Sequence, residues 1–113
     1  MGESYSRVVL HQIGLPAPTP QFDVIAADGR LIGRTDFGWE GRRTVGEFDG
    51  KVKYGRLLKP GQEPGDVVFE EKRREGAIRD LGWQVVRWVW ADLFRPAELE
   101  KRVTRAFGRS ARG

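Results

Sequence analysis

Three short apolar runs, separated by turn residues, constrain this chain more than any other feature. Phe22, Val24 and Ala26 fall on one side of a strand over residues 21–26. Asp28-Gly29 is a hairpin signal, so the next run, residues 30–39, returns antiparallel. A second turn over residues 40–43 leads into a third strand over residues 44–49. The pattern predicts a three-stranded meander.

The end of that meander is acidic. The stretch TDFGWEGRRTVGEFDGK, residues 35–51, holds Asp36, Glu47 and Asp49, followed by Lys51. Strand alternation places Val45, Glu47 and Asp49 on one face, with Lys51 if the strand runs that far. If the strand carrying Asp36 pairs alongside, the three acids converge. Such a cluster is unfavourable unless a cation neutralises it. Hard divalent ions such as Mg2+ take oxygen ligands, commonly one or two carboxylates plus water. Two readings stand side by side here: a divalent-ion site, or solvated turn and edge residues.

The remaining segments surround the meander with helices. Residues 3–13 read as a short helix with Tyr5, Val8, Val9 and Gln12 near one face, widened by Leu10 and Ile13. Gly14 ends it, and Leu15-Pro16-Ala17-Pro18 forbids its continuation. Residues 50–65 form a connector in which Lys51, Lys53, Arg56 and Lys59 interleave with Tyr54. It reads either as a solvated loop or as a phosphate-gripping segment, with one helical turn near residues 54–58. Residues 66–81 read as a second helix capped by Asp66, burying Val67, Phe69, Ala77, Ile78 and Leu81. Its charged middle pairs Glu70 with Arg74 and Glu75 with Arg79 at i,i+4 spacing, worth only ~0.2–0.5 kcal/mol each, so most of it reads as a solvated face. Gly82 caps that helix. Residues 83–90 read as a strand buried on both faces, interrupted by Arg87, which needs an acidic or phosphate partner. Pro96 opens a last helix over residues 96–107.

Composition narrows the chemistry. The 113 residues suit one domain, placed at residues 1–108 with a basic disordered tail over 109–113. No cysteine is present, which excludes disulfides and thiolate metal sites and fits a reducing, cytoplasmic setting. A single histidine, His11, excludes a multi-histidine zinc centre. No run has the apolar length of a membrane span. The net charge of +4 favours polyanionic partners only weakly.

The order helix–strand–strand–strand–helix–strand–helix, an α/β arrangement on a mixed α+β sheet, resembles the core of the PD-(D/E)XK nuclease superfamily. The segments SYSRVVLHQIGLPAP, DFGW, GEFDG and EKRREGAIRDLGWQVVRW resemble, in order and spacing, small actinobacterial proteins related to the very-short-patch-repair endonuclease. The likeness covers nearly the whole chain. It implies a restriction-endonuclease-like fold, with Asp36 as the motif aspartate and Glu47, eleven residues on, as the first acidic position of the (D/E)xK element. The lysine of that element is replaced by Asp49. The resemblance leaves the lysine role to Lys51, Lys53 or Lys72, and likens Glu3 to the acid of the first helix. It implies Mg2+ or Mn2+ held by Asp36, Glu47 and Asp49, with Glu3 reaching it through water. Flanking phosphates would fall to Arg42, Arg43, Lys53, Arg56 and Lys59, and Tyr54 either stacks on a base or packs. The activity implied is a metal-dependent DNA endonuclease or nickase. The alternatives are a catalytically silent nucleic-acid-binding module of the same fold and a small protein-interaction domain. DNA is the expected partner, together with a second copy in a homodimer or a separate DNA-binding chain or domain. No membrane association is expected.

Overall fold

The Asp28-Gly29 signal closes a hairpin in the computed structural model, which describes residues 2–50 and 64–112, the side chains of residues 64–67, 111 and 112 excepted. Gly29 adopts φ +88°, a conformation an L side chain resists, and Asp28 Oδ1 accepts the N–H of Arg30 at 3.0 Å. Strand β1 (Thr19–Ile25) therefore pairs antiparallel with β2 (Leu31–Trp39). After one 3-10 turn (Glu40–Arg42), β3 (Thr44–Phe48) returns antiparallel to β2. Helix α2 (Pro64–Asp80) then carries the chain to β4 (Gln84–Trp88), which lies parallel to β3. The result is a four-stranded mixed sheet in the order β1-β2-β3-β4, with helices on both sides. The expected order of helices and strands is found, with one additional short helix.

Two apolar layers cover the sheet. On one face Phe37, Trp39, Val86 and Trp88 pack with Val9 and Leu10 of α1 (Gly2–Gln12) and with Leu99, Val103, Ala106 and Phe107 of the last helix. On the other, Val24, Val45 and Val85 meet Ile78 of α2 and Trp83. Alternation along β3 and β4 thus separates Gly46 and Trp88 from Glu47 and Arg87. Trp88 is the keystone of the first layer. Its ring stacks on Phe37 at 5.8 Å, and its Nε1 donates to Ser6 Oγ at 2.9 Å. Ser6 in turn donates to the Gly2 carbonyl at 2.7 Å, so a buried hydroxyl pins α1 to β4.

Several boundaries depart from the sequence reading. The buried stripe of α1 is Gly2, Ser6, Val9 and Leu10, while Tyr5 and Val8 face outward. Tyr5 instead joins an exposed group of rings with Trp90 and Phe94, at 5.9 and 6.1 Å. Helix α2 starts at Pro64, so Asp66 lies inside it rather than at its cap. Phe69 is exposed, with Arg73 over its ring. Strand β4 stops at Trp88 because Asp92 Oδ2 accepts the Val89 N–H at 2.8 Å, starting a helix α3 (Trp90–Leu93) where continued strand was expected. The last helix, α4 (Pro96–Arg112), includes residues 109–112 of the expected disordered tail. Buried Ala106 and Phe107 hold its C-terminal half down, and Arg109 Nε donates to Gln84 Oε1 at 3.0 Å. Gly82 does end α2 as expected, at φ +92°.

Candidate functional site

Asp36 and Glu47 lie where β2 and β3 part. The pairing of Trp39↔Thr44, Gly38↔Val45 and Phe37↔Gly46 ends one residue short of Asp36 and Glu47. There the ladder gives way to a side chain: Asp36 Oδ2 accepts the Phe48 N–H at 2.8 Å. Asp49 follows Glu47 at the same-face position, and its N–H donates to the Trp88 carbonyl at 2.9 Å, extending the β3–β4 pairing by one residue. Arg74 and Arg87 act on the charge of Asp36 and also ion-pair with Glu47, so both acids lie within reach of the same two guanidinium groups.

Burial raises the Asp36 carboxyl above its ordinary range. The Phe48 N–H opposes that shift, the charge of Glu3 adds to it, and Arg74 and Arg87 pull it down. Glu3, in the first turn of α1, is thus electrostatically part of this site, although its own hydrogen bond is to Gln21 Nε2 at 2.8 Å.

Glu47 is surrounded by guanidinium groups. Arg74 Nη2, from α2, donates to both of its oxygens at 2.7 Å. Arg87 is its registered neighbour on β4, with Nη2 at 3.5 Å. The network continues outward: Arg74 Nε donates to Glu71 at 3.3 Å, and Arg87 Nε to Glu75 at 2.9 Å. Burial works to raise the Glu75 carboxyl, but the hydrogen bonds and charges of Arg79 and Arg87 outweigh it and hold it low. Arg87 thus has the acidic partners that its position in a buried strand demands. Arg74, expected to pair with Glu70 on a solvated face, turns to Glu47 and Glu71 instead.

The other expected site residues are dispersed. Lys72 is exposed, two positions from Arg74 and so roughly 200° around the helix from it. Arg42 and Arg43 lie beyond the opposite end of β3 and serve packing: Arg42 covers the Phe107 ring at 5.2 Å and Arg43 the Trp83 ring at 4.9 Å. Arg43 Nη2 also donates to the Leu81 carbonyl at 2.6 Å. Lys51, Lys53, Tyr54, Arg56 and Lys59 lie outside the described residues. The sequence reading missed Arg74, whose only signal was its place on α2 above the acidic strand.

Among the described residues no three acidic or histidine side chains stand together as a ready metal site. Carboxylate oxygens suit a hard divalent ion, which at Asp36 would have to displace the proton that burial and the charge of Glu3 favour. It fits at Glu47 only by exchange, since Arg74 engages both oxygens. Comparison of the chain with family models, curated proteins and solved structures finds no match. Among the described residues no helix is long and apolar enough to cross a membrane.

Proposed function

We propose that this chain is a metal-dependent DNA endonuclease or nickase of the PD-(D/E)XK kind. The observation that carries the reading is that Asp36 and Glu47, just beyond the last paired residues of β2 and β3, lie within reach of the same two guanidinium groups, Arg74 and Arg87, on a helix–meander–helix–strand–helix scaffold. Asp36, Glu47 and Asp49 would hold Mg2+ or Mn2+, with Glu3 acting through water. When bound, such an ion supplies an activated water and neutralises charge at the phosphate. The chain itself supplies half-buried carboxylates and nearby guanidinium groups, which orient a phosphate and offset its charge. The net charge of +4 supports a polyanionic partner.

A second reading, a nucleic-acid-binding module without cleavage, is favoured by the engagement of Glu47 with Arg74 and Arg87 and by Asp49 at the lysine position. Supercoiled plasmid incubated with Mg2+ or Mn2+ separates the two. Nicking by the native chain that is lost in Asp36→Ala and in Glu47→Ala supports the nuclease. Nicking that survives both substitutions rejects this site, and DNA binding without nicking selects the silent module.

A further inference from the structure

The unusual feature of the site is that a guanidinium occupies the carboxylate on which a metal would depend. The side chain of Arg74 reaches Glu47 by crossing β2 at Gly33. A Cβ built at Gly33 would stand 3.0 Å from Arg74 Nη1, 3.3 Å from Cγ and 3.4 Å from Cδ. The absence of a side chain at that strand position therefore leaves the track along which Arg74 lies. Its Nη1 also approaches the Arg34 carbonyl at 3.4 Å, so the guanidinium bridges β2 and β3. Arg87, held by Glu75, keeps a second positive charge against Glu47.

We infer that Arg74 is a partner-switching cation that fills the role of the missing motif lysine. In the metal-free chain it neutralises Glu47. When a divalent ion takes Glu47, Arg74 is released to a phosphate oxygen of the nucleic acid. This rests on the nuclease reading and deepens it. The switch is chemically balanced, because Glu47 exchanges one cation for another while Arg74 exchanges one oxyanion for another. A guanidinium presents a planar donor fork that suits carboxylate and phosphate alike. Lys72 cannot do the same, since it projects from a different side of α2.

The test is calorimetric titration of the full chain with Mn2+ alone, with no nucleic acid present. Arg74→Met removes the competitor, and Gly33→Val obstructs its track while leaving the arginine in the sequence. Both variants should bind Mn2+ about tenfold more tightly or better, the order expected from removing a unit charge a few ångströms from the ion. Arg74→Lys, which keeps the charge, should stay near the native affinity. In Ca2+, Arg74→Met should also bind a labelled DNA duplex severalfold more weakly. Mn2+ affinity unchanged or lowered in both Arg74→Met and Gly33→Val overturns the switch, as does the absence of Mn2+ binding by every form. If Mn2+ affinities shift as expected but no form cuts DNA, the competition stands and the nuclease reading fails. Unchanged duplex affinity in Arg74→Met overturns the phosphate half of the switch.

Discussion

Replacing Glu47 by glutamine isolates what its charge contributes, because the amide keeps the volume and one acceptor oxygen. Arg74 Nη2 lies 2.7 Å from both carboxylate oxygens, and the two side chains are only 23% and 14% exposed. A hydrogen bond to a charged group contributes about 1.5–3 kcal/mol. Arg87 is 3.5 Å away and 37% exposed, so its share is under about 1 kcal/mol. Glutamine retains part of the first term but turns an NH2 group toward two guanidinium groups. The expected loss is about 2 kcal/mol. For a domain near this size, each kcal/mol lowers Tm by roughly 4–8 °C, so a fall of about 10 °C is expected. Urea unfolding followed by tryptophan fluorescence measures it directly, since Trp39, Trp83 and Trp88 all lie in the apolar layers. A loss below about 0.5 kcal/mol, the range of an ordinary surface substitution, would refute the inference that Arg74 holds Glu47 in solution.

The acids make opposite contributions with pH. Because the Asp36 carboxyl is held high, the folded chain keeps its proton where the unfolded chain has lost it. Stability therefore falls as pH rises through that window and stays lowered above it. Asp36→Asn, whose amide oxygen still accepts the Phe48 N–H, should raise Tm at pH 7, and a lower Tm there would contradict this. Glu75, held low, contributes stability above the ordinary glutamate range that is lost as pH falls through its folded value. Glu75→Gln should thus lower Tm at pH 7, with the difference closing in acid; a constant difference would assign it to packing. Gly46→Ala would place a Cβ 2.5 Å from Trp88 Cη2 and 2.7 Å from Cζ3, and such overpacking destabilises by about 1–3 kcal/mol. A neutral result in chemical unfolding would show that the Trp88 ring has room to shift.

The scaffold was legible where local chemistry and long-range packing agree. Asp28-Gly29 specifies its hairpin whatever lies around it, and Val45 and Val85 bury on a face that alternation alone identifies. Legibility failed where a polar group takes a distant partner. Ser6 looks like a helix-surface residue until Trp88, far along the chain, donates its indole N–H to it. Trp90 continues an apolar run, yet Asp92 captures the Val89 N–H and turns the chain into α3. Within the site, strand alternation was enough to put Glu47 on the Val45 face of β3, the face that α2 covers. Helical spacing could not show that Arg74 leaves its own helix face, because that depends on Gly33 in β2 and on the parallel register that sets Arg87 beside Glu47.

Diffraction from crystals soaked in Mn2+, recorded for anomalous scattering, bears on the metal site without any assay of cleavage. A manganese peak within coordination distance of Asp36 and Glu47, with Arg74 turned away from Glu47, is the outcome expected. Crystals saturated with Mn2+ that show no peak there, and Arg74 still bonded to both Glu47 oxygens, would contradict it.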